Sequence, residues 1–364
     1  TTGVPIIGSF TFTATSSGKQ GFGIDFILKN AISLSSGTLT LNFAPASPNP
    51  AVLTAFTLPR TNVNLGANQL ELIEDFTGVV SLSGNNVTIT SPTRGALTAT
   101  STSSSFFDVS PDGKICPTPA TFSCVINGQI ASVDAFLNSD GTLSIKEFEP
   151  LLATQQDIVE GIVYSVTSPG LTQFKIAVTD KTQLATSSLI AGLNTGDLLT
   201  VNIPTTTVKP FFVDTKGLAV PAASSGFFLN QTDTTAIHPG QVVSLHITAF
   251  TAASAGPPPV LASVTADTVT LRWSRLIAAL TGATSNTQIN VNAVPSYFGI
   301  SPASVFPTQV FSGTLGADGV TNLDGITTAG NVNSTLPVGL RVLYLENPTN
   351  SAQFPFMAAK IRQH

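Results

Sequence analysis

Apolar residues fall on every second position through much of the chain. Ser9-Phe10-Thr11-Phe12-Thr13-Ala14, Thr38-Leu39-Thr40-Leu41-Asn42-Phe43, Asn86-Val87-Thr88-Ile89-Thr90 and Thr268-Val269-Thr270-Leu271-Arg272-Trp273 all obey this rule. A period of two predicts strands with one buried face. Most of the 24 prolines and 29 glycines lie between such runs, in turn-forming pieces such as Ser139-Asp140-Gly141, Ser168-Pro169-Gly170, Gly256-Pro257-Pro258-Pro259 and Ala317-Asp318-Gly319. No helix of ordinary length is predicted. One or two helical turns are expected at 186–193 and 301–306, where they could cap the mouth of a barrel.

A phrase recurs along the chain: Asn127-Gly128-Gln129-Ile130, Thr195-Gly196-Asp197-Leu198, Pro239-Gly240-Gln241-Val242 and Val338-Gly339-Leu340-Arg341. Each is read as a glycine turn leading into a strand, and such self-similarity marks repeated modules. Closing strands follow three of the phrases, at 142–148, 263–271 and 354–361. Matching openers precede them at 76–82, 159–166 and 275–280. An opening hairpin, an excursion, the glycine-led strand and a closing strand make five or six strands, enough to curl into a small barrel.

The expected organisation is therefore all-β, with tandem small β-barrel modules preceded by a β-sandwich-like N-terminal region. The modules are placed at 75–154, 155–272 and 273–364, the second enlarged by an insertion over 205–235, and the N-terminal region at 1–74. At 364 residues the chain exceeds one ordinary hydrophobic core, which agrees with several domains.

Several of these phrases carry a likeness. Glu74-Asp75-Phe76-Thr77-Gly78-Val79-Val80, Gly161-Ile162-Val163-Tyr164-Ser165-Val166, Gly196-Asp197 and Val213-Asp214-Thr215-Lys216-Gly217 resemble repeated β-barrel domains of unknown function in bacterial envelope proteins, over about 75–364. Gly21-Phe22-Gly23-Ile24-Asp25-Phe26-Ile27-Leu28-Lys29-Asn30 looks like the later part of a β-sandwich domain of unknown function that often precedes them. The resemblance implies a first region lacking some strands of its relatives, with an open sheet edge for another chain to fill.

Composition sets the compartment. Only 10% of residues are charged, well below the ~25% usual for soluble domains, and Thr, Ser, Asn and Gly take their place, as in secreted and surface-layer β proteins. We expect an extracellular or cell-surface protein. A net charge of −5, with no run of Lys and Arg interleaved with aromatics, excludes a nucleic-acid partner. No apolar run approaches the ~18 residues of a membrane span and no leader-like segment opens the chain, which reads as a mature or trimmed product. The two cysteines, Cys116 and Cys124, would staple one loop in an oxidising compartment; two reduced buried thiols are the alternative.

Candidate chemistry is sparse, and neither cofactor nor metal is expected. Asn138-Ser139-Asp140-Gly141 with Glu147 imitates the later part of a calcium-binding EF-hand loop, but Phe136 stands where the first ligand belongs, so a hairpin turn is the better reading. Asp318, Asn322 and Asp324 could offer loop oxygens to calcium or simply form Asx turns. His238, His246 and His364 show no acidic partner or nucleophile at a telling spacing. Glu71, Glu74 and Asp75 read as solvated charge on a linker. Trp273, Tyr297 and Phe298 could form a platform for a sugar, but a core Trp and a loop Tyr are the better reading. Asn86, Asn230 and Asn333 head glycosylation sequons, relevant only in a eukaryotic secretory pathway.

No catalytic centre emerges, and the expected role is structural. The chain reads as a subunit of a surface filament or coat that adds a strand, Gly8, Ser9, Phe10, Thr11, Phe12, Thr13, Ala14 and Thr15, to a neighbouring copy of itself. The alternative is an envelope-associated module that binds polysaccharide or protein through barrel-mouth loops such as 205–235.

Overall fold

The computed structural model describes 19–26, 32–35, 38–41 and 52–60, and all of 70–363 except 93, 112, 154–155, 167–171, 184–186, 188, 205–209, 282–283, 293, 295–297, 299–304, 314–318, 325–327, 333–336 and 347–353. Gly8 to Thr15, Tyr297, Asp318, Asn333 and His364 thus lie outside the described residues. The chain divides into two compact units, Thr1–Val63 and Asn64–His364.

In the first unit, β1 (Lys19–Phe26) pairs antiparallel with β4 (Val52–Arg60), and β2 (Ile32–Ser35) forms a hairpin with β3 (Thr38–Leu41). The second unit holds three barrels in tandem. The first comprises β5 (Leu70–Ser83), β6 (Asn86–Ser91), β7 (Gly95–Thr100), β8 (Phe106–Phe107), β9 (Ile130–Leu137) and β10 (Leu143–Leu152). The second comprises β11 (Ile158–Val166), β12 (Gln173–Thr182), β13 (Leu198–Asn202), β14 (Phe211–Val213), β15 (Val242–Thr251) and β16 (Ala262–Arg272). The third comprises β17 (Ser274–Leu280), β18 (Gln288–Asn292), β19 (Phe306–Val310), β20 (Asn322–Asp324), β21 (Val338–Tyr344) and β22 (Phe356–Gln363). Residues 70–74, read from sequence as the end of the N-terminal region, are the first residues of β5.

All three barrels have one connectivity, third-second-first-fifth-sixth-fourth, and the third strand closes onto the sixth in parallel. The short fourth strand fills the rest of the sixth strand's edge. Five strands thus close a Greek-key barrel of the OB type, and closure removes the exposed edges that invite aggregation. The alternation read from sequence is what fills the interiors: Val87 and Ile89 in β6, Phe174 and Ile176 in β12, Ile289 and Val291 in β18 are all fully buried. In β9 both faces are buried up to Phe136, Ser132 and Asp134 included.

The register identifies equivalent positions. In each barrel the sixth strand carries one extra residue, Lys146, Asp267 or Ala359, opposite the step that follows Asp134, His246 or Arg341 in the fifth strand. Counting back two residues gives Ser132, Ser244 and Gly339. Gly128 and Gly240 do turn the chain into β9 and β15, at φ 80° and 92°, where Gln129 and Gln241 accept the backbone N–H of Ile126 and His238 at 2.8 Å. Gly339, by contrast, lies inside β21 opposite Ile277, so the fourth phrase is a chance likeness. Gly196 does turn the chain, but into the third strand of its barrel, β13.

The connection between fourth and fifth strands folds over the barrel mouth. In the first barrel it sets Phe122 against Phe107, with centroids 5.8 Å apart and rings edge to face. In the second it carries helix α1 (Ala222–Leu229), whose Phe228 meets Phe211 in the same way at 5.2 Å. Phe107 and Phe211 occupy equivalent places beside the sixth strand. The helix thus lies in the insertion, not at 186–193, where the described residues form turns around Ile190 and Leu193; 301–304 lie outside the described residues.

Candidate functional site

Charge in this chain is scarce, yet it converges where the three barrels meet. Asp75 sits at a bulge in β5 with φ 51°, and its N–H is held by Asp134 Oδ1 at 2.8 Å. Its carboxylate faces Lys216 Nζ of the second barrel at 2.9 Å. From the third barrel it meets Arg275 Nη2 at 3.6 Å and makes a direct ion pair with Arg341, 266 residues away in sequence. Arg94 of the first barrel donates to the Asp75 carbonyl, lies over the Phe76 ring at 4.6 Å and reaches Asp180 of the second barrel at 3.4 Å. One aspartate thereby ties all three modules, contrary to the sequence reading of solvated linker charge. The side chains of Glu71 and Glu74 lie outside the described set.

Beneath Asp75 the cluster is buried. Lys216 Nζ lies 3.9 Å from Glu147 Oε1. Arg272 lies between Glu149 Oε2 (3.7 Å) and Asp214 Oδ2 (3.3 Å). Asp108, Glu149 and Asp214 are each no more than 3% exposed, and one carboxylate oxygen from each lies within 4.8 Å of the others. Asp108 and Asp214 sit just past the fourth strands of their barrels, their N–H groups bonded to Phe148 O and Leu271 O at 2.9 and 3.0 Å. Strand β10 supplies Glu149.

Such crowding shifts proton affinities. Burial, reinforced by the charge of Asp214, raises the Asp108 pKa to about 7. Burial also raises Glu147 to about 7, with Lys216 pulling the other way. Glu149 is pushed well above the carboxylate range by burial and then by Asp214. Burial pushes Asp214 the same way, but Arg272, a hydrogen bond from Glu149 and Lys216 outweigh it and hold Asp214 below its ordinary value. Burial opposes the charge on Lys216, yet Glu147, Asp134, Glu149 and Asp214 prevail and keep it protonated. The arrangement is a mutually neutralising core in which burial favours the protonated forms of Glu149, Asp108 and Glu147.

Outside this core a cleft of about 380 Å³ is lined by Arg94, Arg272, Arg275 and Arg341, by Asp75, Glu160 and Asp180, and by the apolar side of Trp273. Trp273 is 5% exposed, a core residue as the second of the two readings had it, and Phe298, 1% exposed, is buried as well. Phe298 also lies where any side chain at Gly240 would strike it, 2.3 Å from an added Cβ.

The remaining candidates fall in place. Cys116 and Cys124 form a disulfide in the connection over the first barrel. Asn138 to Gly141 is a hairpin turn with Gly141 at φ 84°, in which Asp140 accepts from Thr142 N at 3.0 Å and Thr142 Oγ1 at 2.7 Å. Asn322 and Asp324 belong to strand β20. Asn86 and Asn230 are exposed. The histidines do have acidic partners: His246 Nδ1 lies 2.5 Å from Asp267 on the facing strand of its hairpin, and His238 lies 4.0 Å from Glu346, which also accepts the Tyr344 hydroxyl at 2.5 Å.

No protein-family model matches the chain, and neither a curated protein nor a solved structure is detectably similar to it. The repeated small barrels implied by the resemblance are present, together with one disulfide, and among the described residues no helix is long and apolar enough to cross a membrane.

Proposed function

We propose that this is an extracellular structural protein, a building block of a surface filament or coat, whose three barrels are locked into one rigid body and whose N-terminal strand, residues 8–15, pairs with another copy. The observation that carries the reading is the ion cluster around Asp75. Its charged groups are spent on one another across module boundaries, an arrangement that fixes orientation and leaves little for chemistry on a substrate. Closed barrels, a disulfide and a surface rich in hydroxyl side chains fit an exposed, oxidising environment. The alternation at Ser9 to Ala14 fits strand addition, in which backbone hydrogen bonds supply most of the contact.

Binding at the mouth loops has less support. Phe228 in the 205–235 insertion is 2% exposed and plugs its own barrel, while Lys216 and Gly217 are turned against the first barrel, Gly217 lying beside Phe106. The experiment is electron microscopy with light scattering on the purified full chain and on a chain lacking 1–18. Filaments or sheets from the first and monomers from the second support the reading; monodisperse monomers from the full chain at all concentrations reject it.

A further inference from the structure

We propose that the edge of β15 over 248–251 is the seat on which residues 8–15 of another copy add as an antiparallel strand; this rests on the strand addition put forward above and names its acceptor. Strand β11 begins at Ile158, paired with His246, and the N–H of Ile247 goes to the Asp157 carbonyl at 2.8 Å. Beyond that point β15 runs on, and among the described residues no strand pairs with 248–251 on the β11 side. On its other side Ala249, Phe250 and Thr251 stay paired with Thr265, Val264 and Ser263 of β16. The first barrel shows what fits such a place. Through their partners in the sixth strand, Ala135, Phe136 and Leu137 of β9 correspond to Ile247, Ala249 and Phe250 of β15. In β9 these residues carry Ile73, Glu71 and Leu70, the start of β5, as an antiparallel neighbour. The second barrel repeats the register, but its first strand starts later and leaves that seat to another segment.

The edge lacks the usual guards. Sheet edges are commonly protected by charge or proline, whereas Thr248, Ala249, Phe250 and Thr251 include neither, and Thr248, Ala249 and Thr251 are exposed. By comparison the short fourth strands β8, β14 and β20 offer two or three residues each. Side chains also select the occupant. Residues directly opposite one another in paired strands share a face. Phe250 is half-buried and packs against the second barrel's core, while its neighbours Ala249 and Thr251 are on the solvent side. A matching strand therefore needs one large apolar residue between two small or hydroxyl-bearing ones. Both Thr11-Phe12-Thr13 and Ser9-Phe10-Thr11 meet that need against Ala249-Phe250-Thr251. The added ring extends the apolar face beside Phe250, the hydroxyls stay in water, and the backbone groups of the edge gain partners.

The test is disulfide trapping between two different full-length chains, mixed at a concentration at which the wild-type chain assembles. One carries Thr11→Cys and the other Ala249→Cys or Thr251→Cys, which cover the two registers; the native disulfide leaves no other free thiol. A mixed covalent dimer should form in excess of either homodimer. Separately, a chain with Ala249→Lys and Thr251→Lys, both on the solvent side, should keep its unfolding midpoint yet need about tenfold more protein to assemble. Should that chain fail to fold, the trapping experiment still decides. Assembly that depends on residues 1–18 but yields no mixed dimer and survives the two lysines overturns this acceptor while leaving strand addition standing. A chain carrying both Thr11→Cys and Ala249→Cys that closes on itself as a monomer overturns it too, and a wild-type chain that never assembles removes both.

Discussion

Asp75 and Lys216 hold each other across a barrel boundary, carboxylate to ammonium at 2.9 Å, and among the described residues they are the two non-glycine residues with positive φ, 51° and 46°. Their backbones are held alike. Asp134 Oδ1 accepts the N–H of Asp75 at 2.8 Å, and Asp214 Oδ1 accepts that of Lys216 at 3.0 Å. A left-handed conformation costs an ordinary residue about 1–2 kcal/mol, and here two buried aspartates and the ion pair offset it. The contact is thus a device for orientation, in which backbone, hydrogen bond and charge agree on one geometry.

Asp75→Asn isolates the charge, because asparagine tolerates positive φ and keeps the backbone N–H. The variant takes from the nearly buried Lys216 its 2.9 Å carboxylate contact and from Arg341 its ion pair with Asp75. We expect a loss of about 2–3 kcal/mol, read as a lower urea midpoint with an unchanged slope. A loss below about 0.5 kcal/mol would show that the barrels are held by apolar contacts alone. Asp75→Ala should cost more, since it adds the conformational penalty.

The pKa shifts set a pH dependence. Asp108 and Glu147 are raised to about 7, above their unfolded values of about 4, so between pH 4 and 7 the folded state binds more protons than the unfolded. Their contribution is whole below the unfolded values and is lost as pH rises through 7. Urea unfolding should therefore give higher stability at pH 5 than at pH 8, each group contributing up to about 1.4 kcal/mol per pH unit. Asp108→Asn should flatten the slope. A profile rising steadily from pH 5 to 8 would contradict the assignment.

A third expectation concerns barrel closure. Gly78 and Gly161 occupy the same place in the first strands of their barrels, where an added Cβ would lie 2.4 Å from Thr90 O and 2.7 Å from Ala177 O. Ala278 is the equivalent residue in the third barrel, where among the described residues the first and second strands pair at Ala279 with Asn292 and at Leu280 with Val291. The glycines therefore allow β5 and β11 to approach the backbones of β6 and β12 this closely. Gly161→Ala should cost about 2–3 kcal/mol, measurable by denaturation, while Ala278→Gly should cost only the ~0.5–1 kcal/mol of added backbone freedom.

The barrels were legible because their cause is local. Alternation along β6, β12 and β18 reports which side chains enter a core, and Gly128-Gln129 and Gly240-Gln241 report one turn made twice. Gly339 misled because the phrase was matched by composition, whereas equivalence lies in register: the bulges place it with Ser132 and Ser244. The junction was hidden for a different reason. Asp75, Lys216, Asp214 and Arg272 are far apart in sequence, and no spacing announces that they meet. The available hint was that, in so lightly charged a chain, Glu74-Asp75 and Asp214-Thr215-Lys216 put charge inside the very phrases that mark the modules. Helix α1 escaped notice because Ala222-Ala223-Ser224-Ser225-Gly226 is small and polar, and its large apolar residues, Phe227, Phe228 and Leu229, come only at its end.

The disulfide offers the most local test. Cys116 and Cys124 lie in the connection that covers the first barrel, with Cys116 fully buried and Cys124 9% exposed, and Ser110 Oγ accepts from the N–H groups of Ile115 and Cys116 at 3.2 and 3.3 Å. The same connection delivers Phe122 onto Phe107 and Val125 into the core. The second barrel holds its cover with a helix, whereas the first holds its cover with a covalent bond. Replacing both cysteines by serine frees a short loop, for which the chain-entropy estimate is about 2–3 kcal/mol. Because the barrel ladder β7-β6-β5-β9-β10 closes on itself without this segment, the loss should stay in the cover. Amide exchange should quicken over 109–126 and remain slow in β6 and β9. Equal acceleration throughout the first barrel would mean that the cover is part of the barrel's cooperative core and not a lid fastened to it.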